Sequence, residues 1–470
     1  MKFYFEMLKF LVNKYIKRYE TGKAVKIFCE NMGLAYIKFA QILSTQNYGN
    51  LFTENDRVIL SSICDSIKPI SFDLIKSQIE NEYSFSLKDK FLSIDEVPIG
   101  SASISQVHRA VLKSGEEVAI KVKRKDITEN LEKDIVHMKK LMHTYGRFFK
   151  FGNYSGGDKA FNLYFKWILE ETDFFNEVQN IKKYTSFANS VNGKVIGNKD
   201  IKIPKLYEDL CTENIIVMEY IPYKTINKLD LNDENRERIK VALNSYISSS
   251  LYAMFNNLPI IFHGDPHGGN IYIDDNNNIG FLDMGLLFEL DTVDAKMTKE
   301  FFFAAYTGDY QKMYSLVVEY GNMDKQQKAE FWDDIKDYCD GISKKAVTSY
   351  FIDMMNICLK YEFVPPNFLF CMAKAFVCLG GLNNISQNDI SGSELLKEQV
   401  IKFFIKDSIT KFRGLVCQNI DTIPKLMHDT FQYGLEDGIA MQTNNVERIY
   451  KNVDDIFNNS KFIFNLIKQN

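Results

Sequence analysis

The sequence predicts an α+β protein with two lobes, and three observations support this fold class. Short apolar segments with strand alternation lie at 117–122 and 214–220, and two more surround a polar turn at 274–278. Long segments with helical periodicity precede and follow these strands. A length of 470 residues suits one two-lobed unit with an N-terminal extension. We expect a helical extension over 1–90, a first lobe over 91–222 with a helical insertion at about 126–180, and a mostly helical second lobe over 223–470.

A polar loop in the second predicted lobe carries the strongest chemical signal. It reads His-Gly-Asp-Pro-His-Gly-Gly-Asn over 263–270, and Asp-Met-Gly follows at 283–285 after two apolar strands. A kinase catalytic loop places an Asp five positions before an Asn that ligates Mg²⁺, and a second metal-binding Asp opens a D-x-G turn. Asp265, Asn270 and Asp283 keep this order, which predicts a protein-kinase-like fold. Asn270 and Asp283 are the predicted Mg²⁺ ligands, and Asp265 faces the acceptor or an attacking water.

Two other interpretations of this loop were weighed. Each tripeptide alone recurs by chance in a long chain, but their order and the flanking strands favour a nucleotide site. His263 and His267 have the spacing of a metal pair on a helix, yet Pro266 and the neighbouring glycines favour a loop. We therefore expect His263 to pack and form hydrogen bonds beneath the loop.

The segment 117–122 matches the V-A-I-K strand of kinases. There a small residue, here Ala119, leaves room for adenine, and the lysine, here Lys121, meets the α- and β-phosphates. Lys123 lies on the same strand face, so periodicity does not choose between the two lysines. The motif favours Lys121.

Two neighbouring segments are predicted to complete the nucleotide pocket. The loop before the strand holds one glycine where kinases have several, and the crowded backbone predicts an unusual phosphate geometry. Beyond it, the strand at 214–220 runs into a polar linker whose backbone groups would bind the adenine edge. The residues predicted to line the pocket are Gly100, Ser101, Ala102, Ser103, Ala119, Lys121, Met218, Glu219 and Tyr220.

Three further motifs resemble one family, the UbiB/AarF (ADCK-type) atypical kinase-like proteins. The segment 106–110 reads Gln-Val-His-Arg-Ala, 38–41 matches the K-x-G-Q motif except at Ala40, and 171–173 matches E-x-D. Glu177 follows at the place of the Glu that pairs with the strand lysine. The resemblance runs from about residue 33 to the low 380s.

The resemblance implies a helix folded across the mouth of the active site. Lys38 and Gln41 on that helix would occupy the space where a protein kinase admits a peptide, and Lys38 would pair with Asp173. Glu171 belongs to the same group, and Glu177 would pair with Lys121. The implied ligands are ATP and Mg²⁺, and the implied role is in isoprenoid-quinone or membrane-lipid metabolism, with biosynthetic enzymes as potential partners.

The chain also departs from the family and from ordinary kinases. Ala40 replaces a glycine, which puts the closeness of the helix contact in question, and Gly100 stands where the family commonly has alanine. Helical periodicity at 129–149 and 161–178 predicts that the insertion between Lys121 and Glu177 is helical. After 283–285 the chain passes into a helix predicted at about 293–306, without an A-P-E sequence, so a small-molecule acceptor or water is expected rather than a peptide. A lipid-like acceptor is what the family resemblance implies.

Composition limits the partners and the compartment. A formal net charge of −4 gives no electrostatic case for nucleic acid. The eight cysteines form no C-x-x-C pair, which fits reduced thiols in the cytoplasm. The segment 241–262 lacks charge over a bilayer's span, but its serines and its position favour a buried core helix.

The first nineteen residues predict an amphipathic helix. Such a helix either lies on the inner face of a membrane or packs onto the lobes, and the pattern fits both. Its apolar stripe consists of Met1, Tyr4, Leu8, Leu11, Tyr15 and Tyr19.

Two rival functions stay open at this level. A small-molecule kinase of the aminoglycoside or choline type would share the catalytic loop, but it does not explain 38–41 or 106–110. A nucleotide-bound scaffold for biosynthetic enzymes would keep the pocket and turn over negligibly.

Overall fold

The structure is a computed structural model that describes most of the chain up to residue 386. The described ranges are 2–45, 53–61, 69–83, 86–145, 157–195, 197–256, 258–307, 309–318, 325–342, 347–361 and 367–386. Met1 of the predicted stripe, 146–149 of the first insertion helix, and the part of the second lobe after 386 lie outside these ranges.

The N-terminal extension is helical, as predicted. Its elements are α1 (Lys2–Leu11), a π-helical turn (Val12–Ile16), α2 (Thr21–Met32), α3 (Leu34–Thr45), α4 (Glu54–Ser61), α5 (Phe72–Tyr83) and α6 (Leu87–Lys90). Gly33 joins α2 to α3 with φ 142°, a backbone conformation that favours glycine. A Cβ there would lie 2.2 Å from a carboxylate oxygen of Asp134, so the extension approaches the insertion closely at this residue.

The first lobe is an antiparallel sheet with helices inserted before its last strand. The elements of this part of the chain are β1 (Phe91–Ile94), β2 (Gly100–Ser101), β3 (Ser105–Leu112), β4 (Glu117–Lys123), α7 (Ile127–Tyr145), α8 (Gly157–Glu170), α9 (Phe174–Val191), β5 (Ile201–Lys202) and β6 (Ile215–Glu219). Strand β5 does not join this sheet, because it pairs in parallel with the second-lobe strand Ile279–Phe281. The strand order is β1-β3-β4-β6, with β2 paired to β3. The central strand β4 is buried from Val118 to Lys123, which fits its apolar sequence.

The Gln-Val-His-Arg-Ala segment holds the extension against this sheet. The side chain of Gln106 accepts from the backbone N–H of Ile70 at 2.8 Å and donates to the Ile70 carbonyl at 3.0 Å. It also lies 2.9 Å from His108, whose other ring nitrogen is 2.8 Å from the Asp95 carbonyl. Because Gln106 and His108 are fully buried, these bonds satisfy polar groups that would otherwise be costly.

The insertion is helical, but the prediction of one helix over 161–178 is wrong. The chain breaks at 171–173, between α8 and α9. The hydroxyl of Thr172 donates to the Leu169 carbonyl at 2.8 Å, and the Asp173 carboxylate accepts from the N–H of Asn176 at 3.0 Å. Asp173 is thus the N-cap of a new helix. Residues 170–173 are all polar and apolar residues resume at Phe174, so this polar run marks the break that the prediction passed over.

The second lobe combines short strands with long helices. Its elements are α10 (Asp233–Phe255), β7 (Ile260–His263), β8 (Ile271–Ile273), β9 (Ile279–Phe281), β10 (Leu287–Leu290), α11 (Thr292–Thr307), α12 (Tyr310–Val318), α13 (Lys325–Ile342), α14 (Val347–Lys360) and α15 (Asn367–Ser386). The polar loop lies between β7 and β8, and β10 returns antiparallel to β7 with Leu287 opposite His263. The strand β10 was not predicted. Among the described residues, no helix is long and apolar enough to cross a membrane.

The predicted stripe of the N-terminal helix points away from the protein. Tyr4, Leu8 and Tyr15 are 69%, 60% and 72% exposed. The helix packs through a different face, where the Phe3 ring lies 6.1 Å from that of Phe28. The helical conformation ends at Ile16, earlier than predicted, and Arg18 adopts φ 57°.

Candidate active site

A β-hairpin positions the two predicted metal ligands. Strands β8 and β9 pair with Ile271 opposite Phe281, and the N–H of Leu282 donates to the Asn270 carbonyl at 2.9 Å. Asn270 and Asp283 therefore lie at the open end of the hairpin, as predicted. At the closed end, the Asp274 carboxylate accepts two backbone N–H groups at 2.9 Å, a turn stabilised by a side chain.

Lys121 joins two carboxylates from distant parts of the chain. Its Nζ lies 2.7 and 2.8 Å from the two carboxylate oxygens of Glu177, and 2.7 Å from Oδ2 of Asp283. We call these three residues the Lys121 cluster. The predicted contact between Lys121 and Glu177 is present. Lys123 instead donates to the Thr172 carbonyl at 3.3 Å, so the geometry supports the choice of Lys121.

The electrostatics of the Lys121 cluster show one ammonium shared by two acids. Burial lowers the pKa of Lys121, but Asp283 and Glu177 reverse this and raise it above the ordinary value. Burial raises the pKa of Glu177 to about 7, although Lys121 opposes the shift. Burial also raises the pKa of Asp283, but Lys121 outweighs it and holds that pKa below the ordinary range. The cluster thus has two carboxyl groups on one ammonium, and burial keeps Glu177 partly protonated near pH 7.

The oxygen donors here fit Mg²⁺. Oδ1 of Asp283 accepts a hydrogen bond from the N–H of Gly285 at 2.9 Å, while the Asp283 side chain remains 39% exposed. Carboxylate and amide oxygens are ligands that Mg²⁺ accepts, with water and phosphate completing its coordination. Within the described ranges, no group of three or more His, Cys, Asp or Glu residues could hold a metal ion. Asn270 and Asp283 would supply two oxygen ligands of such a cation.

His263 connects the two aspartate motifs from below. Its Nδ1 accepts from the N–H of Asp265 at 3.1 Å, so Nε2 carries the proton and donates to the Asp283 carbonyl at 2.5 Å. The ring stacks on Phe281 at 4.9 Å. Burial lowers the pKa of His263 to about 4, which keeps it neutral near pH 7. The predicted packing and hydrogen-bonding role is confirmed.

Asp265 lies among groups that the sequence motifs did not include. Its Oδ1 is 3.6 Å from Nζ of Lys374 and accepts from the thiol of Cys378 at 3.3 Å. His267 on the same loop lies 3.9 Å from Oδ2. We call these four residues the Asp265 cluster. A lysine inside the apolar segment 368–382 was the one sequence signal for this contact.

Lys38 reaches the same cleft, but with a different partner from the one implied. Its Nζ lies 2.5 Å from Oε2 of Glu171, so the expected pairing with Asp173 is wrong. Asp173 is exposed and caps α9 instead. Burial lowers the pKa of Lys38, but Glu171, then Asp265 and Asp283, raise it above the ordinary value. The charges of both aspartates of the predicted site therefore contribute to the raised pKa of Lys38.

The other two residues of the K-x-G-Q-like motif also lie on α3. Ala40 is fully buried in the main core, so the protein accommodates the methyl group that the family motif lacks. Gln41 lies on the described backbone of α3, but its side chain lies outside the described part.

The predicted nucleotide loop is a tight turn between β2 and β3. Ala102 donates its N–H to the Ser105 carbonyl at 2.9 Å, and Ser103 lies within this turn. Arg124, which was not predicted, donates to the Ala102 carbonyl and to the Ser101 hydroxyl, both at 2.9 Å. A Cβ at Gly100 would meet its nearest neighbour, Val107, at 3.9 Å, so alanine would fit.

The predicted adenine edge is partly engaged by the protein itself. Ala119 and Met218 are paired across β4 and β6, and both are buried. The N–H of Glu219 donates to the Lys205 carbonyl at 2.8 Å, and that of Tyr220 to the Glu117 carbonyl at 3.1 Å. These two N–H groups are therefore committed, and an adenine edge would use other backbone groups of this segment.

Comparison with known proteins identifies relatives over most of the described chain. The family description "ABC1 atypical kinase-like domain" matches residues 62–317. The chain is 28% identical to the chloroplastic protein Activity of BC1 Complex Kinase 7 of Arabidopsis thaliana, over 64% of this chain and 42% of that protein. It is 32% identical to an uncharacterized protein in the hydrogenase 1 5′ region of Clostridium pasteurianum, over 62% and 53%. It is 27% identical to the probable protein kinase UbiB of Histophilus somni, over 80% and 70%. The chain thus spans about half the length of the first two relatives.

Proposed function

The chain belongs to the ABC1 atypical kinase-like family, and from that premise we propose that it is an atypical kinase or ATPase acting on Mg-ATP. The observation that carries the proposal is the Lys121 cluster, in which a single ammonium lies within 2.8 Å of both Glu177 and Asp283. A lysine held by a glutamate beside a metal-binding aspartate is the arrangement that kinases need before they transfer phosphate.

Each residue of the site has a role in this proposal. Lys121, held by Glu177, binds the α- and β-phosphates of ATP, while Asn270 and Asp283 hold Mg²⁺. When bound, Mg²⁺ would neutralise phosphate charge during transfer. Asp265 orients the acceptor or takes its proton, and His263 keeps the two aspartate motifs in register through its two hydrogen bonds.

A small or lipid-like acceptor is favoured over a peptide. The Lys38–Glu171 ion pair lies beside the two aspartates and ties α3 to the insertion. Gln41 on the same helix and Asp173 at the start of α9 would complete this restriction of the pocket. The proposed reaction is ATP hydrolysis or phosphorylation of a lipid-like molecule, in support of isoprenoid-quinone or membrane-lipid metabolism and with biosynthetic enzymes as potential partners.

Peripheral membrane contact through α1 is part of the proposal. The side chains of Tyr4, Leu8 and Tyr15 are exposed rather than packed against the described part of the lobes, and exposed Lys17 and Arg18 follow them. An apolar stripe with basic residues at its end suits an anionic lipid surface. Co-sedimentation with vesicles of phosphatidylglycerol and phosphatidylcholine tests this contact: Leu8→Glu should reduce binding several-fold, and Leu74→Glu, on equally exposed Leu74 of α5, should not. Equal binding by both variants would contradict it.

The decisive experiment for the activity compares ATP consumption by the wild type and Asp283→Asn, with and without anionic vesicles. We expect the substitution to abolish turnover, because it removes a metal ligand and half of the charge that holds Lys121. Asp275→Asn is the matched control, since Asp275 lies at the closed end of the same hairpin, where it accepts from Tyr223 at 3.2 Å. Equal background rates for wild type and Asp283→Asn would reject the enzyme and favour a nucleotide-bound scaffold. Phosphate transfer to a soluble alcohol or amino sugar without any lipid effect would favour the aminoglycoside or choline type of chemistry.

A further inference from the structure

Helix α15 brings a cation to the loop that carries Asp265. Nζ of Lys374 donates to the Gly264 carbonyl at 2.8 Å and lies 3.6 Å from Oδ1 of Asp265. Lys374 is far along the chain from the loop and beyond the segment 62–317 that the family description covers. The contact is therefore a separate feature of the fold.

Cys378 makes a second contact from the same helix. It lies one turn after Lys374, so both side chains project from one face of α15. The thiol donates to the same Oδ1 of Asp265 at 3.3 Å. One helix thus brings an ion pair from Lys374 and a hydrogen bond from Cys378 to the same carboxylate oxygen, while Oδ2 lies on the side of His267.

Burying the charge of Lys374 costs free energy unless the ammonium group meets a carboxylate or a carbonyl oxygen. Its neighbours on α15, Ala373 and Ala375, are buried, and the lysine side chain itself is mostly buried. An ammonium group loses hydration there and is retained where it meets a carboxylate or carbonyl. Both of these partners belong to the loop of Asp265.

We propose that Lys374 is a positioning residue for Asp265, which it fixes in one orientation toward the acceptor. The inference rests on the proposed function, in which Asp265 faces the acceptor. A general base acts only within hydrogen-bond reach of the proton it removes. Loss of the contact between Lys374 and Asp265 therefore lowers the rate of transfer more than it weakens nucleotide binding.

Electrostatics support the same arrangement. Burial raises the pKa of Asp265, but Lys374 outweighs it with help from His267, Lys38 and the Cys378 hydrogen bond, so the carboxylate has a pKa below its ordinary range. Among the charged groups, Lys374 has the largest effect. Lys38, by comparison, has Glu171 as its own closer partner.

The test uses the full chain and steady-state ATP turnover. The variants are Lys374→Met, Lys374→Arg, Asp265→Asn and the double variant, with Lys360→Met as the matched control because Lys360 pairs with Asp334 on a neighbouring helix. We expect Lys374→Met to lower kcat about tenfold or more while KM for ATP stays within about twofold. Lys374→Arg should stay within about threefold of wild type, since it keeps the charge. Lys360→Met should match wild type.

The double variant separates positioning from stability. If Lys374 acts through Asp265, adding Lys374→Met to Asp265→Asn lowers turnover no further. A further loss in the double variant, or a wild-type kcat in Lys374→Met, would overturn the inference. So would a Lys374→Arg variant that melts like wild type and is as slow as Lys374→Met. A wild type without turnover, or Asp265→Asn with full activity, would instead overturn the proposed function.

Discussion

The Lys121 cluster and the Asp265 cluster distribute charge in opposite ways. In the first, two carboxylates share one ammonium, and the pKa of Glu177 is raised by its burial to about 7. In the second, one carboxylate faces the ammonium of Lys374 and is influenced by Lys38 as well. The first cluster therefore has one carboxylate more than it has ammonium groups, which suits a divalent cation, whereas the second holds a single ionised carboxylate beside an ammonium group. Under the proposed function, the first cluster would bind nucleotide and metal, and the second would face the acceptor.

Exchanging the lysine of the first cluster is expected to have the largest effect. Lys121→Met removes the ammonium that is proposed to meet phosphate. It also takes the shared cation away from Glu177 and Asp283, which keep backbone N–H donors at Met284 and Gly285. We expect ATP turnover to fall on the order of a hundredfold or more. The matched control is Lys123→Met, on the same strand face, because the contacts of Lys123 within the described ranges are with the Thr172 carbonyl oxygen and the Phe174 ring rather than with a carboxylate. Similar losses of ATP turnover in Lys121→Met and Lys123→Met would show that the two lysines matter equally, which would contradict the special role of the Lys121 cluster.

An intermediate effect is expected at His263, which connects the two clusters. The ordinary pKa of 6.5 applies to the unfolded chain, and burial lowers the pKa to about 4 in the folded protein. The unfolded state therefore takes up a proton first, so stability is lost as pH falls from about 6.5 to 4. Between pH 7 and 5 this amounts to about 2 kcal/mol.

His263→Gln keeps a donor for the Asp283 carbonyl and removes the titration. Urea unfolding of both proteins at pH 7 and pH 5 measures the difference, and the wild type should lose more of its free energy of unfolding on acidification than the variant. Glu177 titrates in both proteins and cancels from the comparison. Equal losses of unfolding free energy in the wild type and in His263→Gln would contradict a buried, neutral His263.

The smallest effects are expected at the two departures from the family motifs. Ala40→Gly, in the interior of α3, should lower the free energy of unfolding by about 1 kcal/mol. Gly100→Ala should be neutral or raise it by about 0.5 kcal/mol, because the residue has no positive φ and its Cβ would have room. Thermal unfolding of both variants measures these two changes in stability, and Ala40→Gly should be the less stable of the two. A stabilising Ala40→Gly would mean that the methyl group strains the contact of α3.

Local patterns predicted the parts of the site that depend on neighbours in sequence. The hairpin that carries Asn270 and Asp283 follows from two apolar strands around a polar turn, and β4 follows from its alternation and the V-A-I-K match. Lys121 could be chosen over Lys123 through the motif, although strand periodicity treats them alike. The fold class was predictable for the same reason, since each lobe has elements with strong periodicity.

The remaining features depend on contacts that local patterns do not encode. The break at 171–173 lies in a run of polar residues that one turn of a continuous helix could also carry, and its geometry decides that Glu171, not Asp173, meets Lys38. Strand β10 forms because β7, well upstream in sequence, offers a partner edge. Lys374 and Cys378 reach Asp265 from a helix that follows the catalytic motifs, and no motif marks them.

The most direct test of the charge comparison is the Mg²⁺ dependence of nucleotide binding. Isothermal titration with a nonhydrolysable ATP analogue, with and without Mg²⁺, should be performed on the wild type, Asp283→Asn and Asp265→Asn. We expect Mg²⁺ to tighten binding of the analogue at least about tenfold in the wild type and in Asp265→Asn, and we expect Asp283→Asn to lose this gain. Equal affinities with and without Mg²⁺ in the wild type, or an undiminished gain in Asp283→Asn, would contradict this expectation.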